Sequence, residues 1–206
     1  MNDEIVRAHP DDAPGAACLI AATDAELFRW YTRGDLGLWT AIAECEWRAD
    51  RGIYSHTMSH VIRGRGKVVG LLVAYSFGRQ AAIDWSLASS RARLSSARLS
   101  CIDLVQSPAA FLFPSLPEDA FYVQNVATHP SVRGSGLGRR LMKRALELGR
   151  AEGCRTCHLD VDSSTQAVRF YEHLGFRPLV RTEVLTIPGV SAHYRMVVEL
   201  SNSSQR

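Results

Sequence analysis

The run HPSVRGSGLGRRL, residues 129–141, carries the residue pattern best suited to chemistry in this chain. Gly134, Gly136 and Gly138 alternate behind Arg133 and lead into a basic, amphipathic segment. Bare backbone lets amides approach an anion closely, and a helix N-terminus adds free N–H groups and a positive dipole end. The dipole alone supplies only about 0.3–1 kcal/mol. Charge-assisted bonds must add to it, and Arg133, Arg139 and Arg140 are placed to make them. The competing reading is a glycine-rich surface turn. The spacing is G-x-G-x-G. A Walker A loop would need G-x-x-x-x-G-K-[ST], and Lys143 lies too far on. A dinucleotide fingerprint would need an acidic residue about 20 positions on, closing a βαβ unit.

A second run, CRTCH at 154–158, matches the C-x-x-C-H of haem attachment and half of a zinc site. No second C-x-x-C accompanies it. It falls where a helix hands over to a strand, which favours two core or near-surface thiols. The five cysteines are an odd number and follow no secretory signal, which argues against a disulfide framework.

The elements that must position these runs are legible from periodicity. Residues 5–8 suggest a short strand, and Asp11 or Asp12 can cap a helix beginning near Pro14. Residues 25–51 have helical spacing broken by Gly34 and Gly37. Residues 59–63 and 67–76, around a GRG turn, form a β-hairpin. The near-continuous apolar run at 120–128 suits a central strand covered on both faces. The spacing predicts an amphipathic helix over 137–152, its core face made by Leu137, Leu141, Met142, Ala145, Leu146 and Leu148, ended by Gly153. A strand at 157–161, a helix at 164–176 and strands at 177–187 and 193–200 complete the pattern. Residues 79–117, rich in Ser, Arg, Ala and Leu, are read as a helical insertion, with helix-like spacing around 92–105. Residues 201–206 are read as a flexible tail. The fold class is α/β (α+β), in one domain over 1–200.

The length of 206 residues suits a single core. A net charge of +3 is too mild to imply nucleic acid and is compatible with a polyanionic small ligand. The start MNDEIVRAHPDD has no basic n-region or apolar h-region, and the longest apolar stretch is too short to span a bilayer. A soluble, cytoplasmic protein without membrane or nucleic-acid partners is the expectation.

The segment VRGSGLG resembles the R/Q-x-x-G-x-G/A signature of the Gcn5-related N-acetyltransferases (GNAT family) through Arg133, Gly136 and Gly138. YVQNVATHP is similar to that family's fourth strand. AVRFYEHLGF, 167–176, is similar to its motif A-x-x-[LF]-Y-x-x-x-G-F. The match covers about residues 120–176, with element order agreeing more loosely across the chain. The resemblance implies a mixed, mostly antiparallel sheet of about seven strands flanked by helices. It implies acetyl-CoA as co-substrate and no metal. Its pyrophosphate would be held by amides across Arg133, Gly134, Ser135, Gly136, Leu137, Gly138 and Arg139. Its pantetheine arm would enter a V-shaped gap between the 120–128 and 157–161 strands, against backbone near Val126 and Thr128. A bulge in the first strand would aim an amide of Val126 or Ala127 at the thioester carbonyl.

The implied reaction is acetyl transfer to a primary amine of a small molecule, by direct attack in a ternary complex. An amine with a lysine-like pKa must lose a proton, at about 4–5 kcal/mol at pH 7. The family often places Glu or Asp on its fourth strand for this. The matching positions are Gln124 and Asn125, which are not bases. Glu44, Glu46, Asp84 and His129 are the substitutes. Tyr171 occupies the position of the family's general acid. Its ordinary pKa, about 10, exceeds a thiol's, so it would assist by hydrogen bonding as charge develops. Ser164 stands where the family has Asn; it can cap the following helix and touch pantetheine. Trp30, Tyr31, Trp39, Trp47 and Tyr54 are either the acceptor wall or helix core. The insertion favours a small acceptor, since a peptide would need an open pocket. A homodimer is expected by analogy. The alternative reading is a non-catalytic acyl-CoA-binding sensor or scaffold, supported by the missing carboxylates at 124 and 125.

Overall fold

The computed structural model describes residues 4–95, 99–100 and 102–200. The anticipated tail, 201–206, and part of the 92–105 segment lie outside the described residues. Seven strands form one sheet: β1 (Ile5–Arg7), β2 (Ser59–Gly64), β3 (Lys67–Ser76), β4 (Ala120–Thr128), β5 (Thr156–Asp162), β6 (Arg177–Thr182) and β7 (His193–Glu199). Their order is β1-β2-β3-β4-β5-β7-β6. Only β4 and β5 run parallel; all other pairs are antiparallel.

Strand alternation divides the core in two. Val61, Leu71, Val73, Tyr75 and Tyr122 face α1 (Ala13–Ala21), α2 (Ala25–Tyr31) and α3 (Leu36–Arg48). Ile62, Leu72, Ala74, Phe121 and Val123 face α6 (Leu137–Ala151) and α7 (Ala167–Glu172). Leu137, Leu141, Met142 and Ala145 of α6 are buried as its periodicity predicts. Gly149 sets how closely α6 lies on the sheet: a Cβ there would come within 3.0 Å of Phe121 Cβ.

Several boundaries differ from expectation. The break between α2 and α3 is at Gly34, where φ is +95°, whereas Gly37 lies inside α3. Asp12 precedes α1 but does not cap it; its carboxylate accepts from Arg63 and from the His9 N–H. The 164–176 helix is confined to α7, and the strand anticipated to 187 ends at Thr182.

The insertion is less helical than expected. Among its described residues, α4 (Phe77–Gln80) overlaps its start, and α5 (Ala88–Arg93) and a 3-10 turn at Pro108–Leu112 follow. Local side-chain bonds compete with helix here. Asp103 Oδ1 accepts from the N–H groups of Val105 and Gln106, closing a turn instead. The apolar residues Leu87, Leu99, Ile102 and Leu112 enter the α1–α3 core.

Candidate active site

The site begins where β4 and β5 part. Their pairing runs from Ala120–Thr156 to Val123–Leu159 and stops there. Each strand continues, β4 to Thr128 and β5 to Asp162. The divergence starts at a bulge: Ala74 faces Val123 and Val73 faces Asn125, which leaves Gln124 as the extra residue. The anticipated bulge therefore exists, two residues before Val126.

The ladder shows which amides reach the gap. The His129 N–H donates to Val69 O at 2.8 Å, so that facing pair exchanges ladder bonds. Alternation gives Leu71–Ala127 and Val73–Asn125 the same role. Val126 and Thr128 then turn their N–H and C=O groups away from β3, toward the gap. Of the two amides considered for a thioester carbonyl, that of Val126 faces the gap. That of Ala127 is committed to β3, which corrects the expectation for Ala127.

Beyond β4, Pro130–Val132 form a 3-10 turn capped by His129, and α6 starts at Leu137. Gly134 and Gly136 have φ of +79° and +84°, the left-handed region that glycine occupies without strain. The first bond into α6 runs from Arg140 N–H to Gly136 O, and no side chain caps the helix. The amides of Leu137, Gly138 and Arg139 therefore precede its hydrogen-bonded body. Not every loop amide is open, however. Those of Arg133 and Ser135 donate to Pro130 O and Val132 O. Gly138 serves a different end from the other two glycines: it is helical, and a Cβ there would meet Phe170 Cζ at 3.5 Å. Arg133, Arg139 and Arg140 are exposed around the loop. This constellation can receive an extended ligand with an anionic end on the loop and a polar, strand-like arm in the gap.

Tyr171 is buried on the α6 face, its ring edge-on to Phe170 and Phe176 with centroids at 5.2 and 6.0 Å. Burial pushes its phenol pKa well up, so it holds its proton and can donate. Gln124 and Asn125 share the opposite situation. Gln124 Oε1 and Asn125 Oδ1 are buried and have no partner among the described residues. Asn125 Nδ2 donates to Thr23 Oγ1 at 2.9 Å, tying the bulged strand to the α1–α2 turn.

The substitute bases are engaged elsewhere. Glu44 pairs with Arg48 at 3.0 Å on α3, which packs on α1, while α1 packs on β3 and β4. Glu46 is buried and accepts from both the N–H and the hydroxyl of Ser90; burial raises its pKa. Asp84 accepts from Ser86 N–H and hydroxyl, which lowers its pKa. His129 Nδ1 lies 2.7 Å from Ser131 Oγ. Ser164 does not cap α7, which starts three residues later; its hydroxyl and N–H both donate to Asp162 Oδ1. Trp39, Trp47, Tyr31 and Tyr54 are buried, so they build helix core, with Trp39 stacked on Phe28 at 4.5 Å. Cys154 and Cys157 are buried and their thiols pushed up, so they are neutral.

Sequence reasoning missed a polar cluster on the gap's helical face. Asp160 and Arg195 are almost fully buried and form a bidentate pair, 2.7 Å in both bonds. Tyr122 donates to Asp160 Oδ2 at 2.9 Å. Burial works against the Arg195 cation, but the bond and charge of Asp160 outweigh it and raise its pKa. Nearer the mouth, buried His193 places Nε2 2.9 Å from Asp24 Oδ2 and Nδ1 3.0 Å from Ser191 O. Both partners are acceptors, so the protonated ring, which donates from both nitrogens, is the form that satisfies them together. Burial opposes that charge, but Asp24 and the Ser191 carbonyl outweigh it and raise the pKa. The available signal was an arginine beside the apolar run MVV in HYRMVVE, facing the alternating aspartates of CHLDVD. Among the described residues no group of three or more His, Cys, Asp or Glu is arranged to hold a metal. No described helix is long and apolar enough to cross a membrane.

This fold and loop agree with comparisons to known proteins. The family model for the acetyltransferase (GNAT) family matches residues 24–176. The chain belongs to that family. It is 43% identical over 56 residues to glucosamine 6-phosphate N-acetyltransferase of Trypanosoma brucei brucei, covering 27% of this chain and 37% of the relative. It is 30% identical over 74 residues to thialysine N-epsilon-acetyltransferase of Sus scrofa, covering 35% of this chain and 44% of the relative. The matches thus span less than half of each of those relatives. The crystal structure of an N-acetyltransferase from Staphylococcus aureus Mu50 superposes with a TM-score of 0.71 at 17% identity, over 95% of this chain and 100% of that one. That likeness concerns the fold.

Proposed function

We propose that the protein is an acetyl-CoA-dependent N-acetyltransferase acting by direct transfer to a primary amine of a small molecule, within one domain over residues 1–200. The observation that carries the reading is the uncapped glycine loop at the start of α6, opening beside the gap between β4 and β5. Family membership supports acetyl-CoA as co-substrate, and the relatives named for glucosamine 6-phosphate and thialysine support a small acceptor.

Acetyl-CoA supplies a thioester; the chain supplies placement. Amides of Gly134, Gly136, Leu137, Gly138 and Arg139 hold the pyrophosphate, reinforced by the Arg133 and Arg139 guanidinium groups. The backbones of Val126 and Thr128 pair with the pantetheine arm. The Val126 N–H polarises the carbonyl. The Tyr171 hydroxyl donates to the departing sulfur. On the other side, the unpartnered oxygens of Gln124 and Asn125 accept from the amine's N–H groups and direct its lone pair at the carbonyl. Neither takes the proton, which leaves to water.

The test is a calorimetric titration with acetyl-CoA, with NAD and ATP as controls, followed by thiol release with a panel of amines. Micromolar binding of acetyl-CoA alone and turnover of an amine support the proposal. No binding by folded, CoA-free protein reduces the loop to a surface turn. Binding without turnover favours the sensor reading, which the engaged state of every candidate base otherwise recommends.

A further inference from the structure

We infer that the insertion carries the acceptor's binding groove, and that the acceptor is a primary amine bearing an uncharged, apolar body of about aryl size; this rests on the acetyl-transfer reading above. An open cavity of about 520 Å³ lies in the insertion, lined among others by Val105, Gln106, Ala110, Phe111, Phe113 and Pro114. That volume is within the range of small-molecule sites. Six large hydrophobic side chains are exposed among the described residues, and three of them, Val105, Phe111 and Phe113, line this one cavity. The concentration marks a ligand surface, since isolated exposed apolar residues are ordinary and a cluster in a concavity is not.

A chain of side-chain contacts joins the groove's wall to the gap. The Phe113 ring stands edge-on to His193, with centroids 5.7 Å apart. His193 faces Asp162 at the open end of β5 and is bonded to Asp24. Thr23, the residue before Asp24, accepts from Asn125 beside the bulge. The chain of contacts therefore leads from the groove, past His193 and the α1–α2 turn, to the carbonyl oxygens assigned to the amine. The groove is also fixed in place: Arg195 donates to Pro114 O and Thr182 to Leu112 O, each at 2.7 Å.

Charge selects the class. None of the cavity's lining residues is ionisable. Behind it, Arg195 and the His193 ring are each bonded to a carboxylate, Asp160 and Asp24, which offsets their positive charge. A phosphorylated or carboxylated body would find no unpaired cation here. A phenyl or branched alkyl body would cover Phe111 and Val105 and displace water from both.

The probes are 2-phenylethylamine and methylamine as acceptors, and N-acetyl-2-phenylethylamine for direct binding to the CoA-loaded protein. The wild type should favour 2-phenylethylamine in kcat/KM, mainly through KM. Phe111→Ser and Val105→Ser, both at exposed positions, should each cut that preference by roughly tenfold. They should weaken binding of the acetylated probe to match, with acetyl-CoA affinity retained. Leu185→Ser, exposed but outside the cavity, should leave the preference in place. Turnover without preference for the aryl amine, or a preference that survives both groove variants, overturns the inference. So does a dimer in sedimentation that Phe111→Ser dissociates, because the groove then seats a second copy. Binding of the probe with no turnover of any amine overturns the acetyl-transfer reading itself, and the acceptor role with it.

Discussion

In the proposed reaction Tyr171 and the pair Gln124–Asn125 would divide the proton chemistry unequally. Burial keeps the phenol neutral. Full proton transfer to a thiolate is therefore more uphill than for a free tyrosine, and in the proposed role the hydroxyl would contribute through a hydrogen bond that strengthens as sulfur gains charge. Tyr171→Phe is expected to lower kcat on the order of a hundredfold, the low end for such groups, with little change in the KM for acetyl-CoA. Steady-state kinetics with chemistry shown to be rate-limiting decides this, and an unchanged kcat removes the role. The amides on β4 make a different demand. If, as proposed, no protein group deprotonates the nucleophile, only amine that arrives neutral would react. The rising limb of kcat/KM against pH should then follow the pKa of the amine. Two acceptors of the same shape and different basicity should displace the profile by the difference in their pKa values. A limb fixed at one pH for both would reveal an enzyme base.

Among elements, β4 and α6 were legible because one periodicity runs through each without interruption, and because the glycine run fixes where one ends and the other begins. The insertion was not. Its leucines have helical spacing, yet Ser90 is claimed by Glu46 and Asp103 closes a turn on Val105 and Gln106. Such choices depend on residues distant in sequence or on local bonds that periodicity does not register. The bulge at Gln124 was anticipated by resemblance, but its register is set by β3 and is invisible in β4 alone. Likewise Glu44 and Glu46, two positions apart on α3, diverge completely: one pairs with Arg48 at the surface, the other binds the third residue of α5. Glu46 bears a pKa raised by burial, so its ionisation costs stability as pH rises from the ordinary carboxyl range toward the folded value. Glu46→Gln keeps an acceptor without the charge. Its stability at pH 7 is expected to equal or exceed the wild type's by up to about 1 kcal/mol, with the gap closing below about pH 4. Glu46→Ala strands the Ser90 N–H and should cost about 2 kcal/mol. Urea unfolding across pH measures both.

For the molecule as a whole, the His193–Asp24 contact joins residues 169 apart in sequence, and with them the helical layer and the far side of the sheet. The histidine pKa is raised in the folded state. Its contribution is therefore complete below about pH 6.5 and is lost as pH rises through the folded value, so long as Asp24 stays ionised. His193→Gln should lose about 2 kcal/mol near pH 6 and progressively less at higher pH. A loss independent of pH would mean that packing against Phe113, and not charge, is what His193 provides. The His193–Asp24 contact has no local signature, whereas the glycine loop and α6 lie in one continuous stretch of sequence and could be read from it.

The insertion is fastened at one end by Glu46 on α3 and at the other by Thr182 and Arg195 on β6 and β7. Its anchors belong to the helices and the sheet, and most of the residues between them answer to no strand register. Such a segment behaves as a replaceable cassette. Under the proposed acceptor role, Val105–Ser115 could be rewritten to suit a new amine without disturbing β4 or the glycine loop, and a grafted cassette that preserves Ser90 and the carbonyls at 112 and 114 should fold in place.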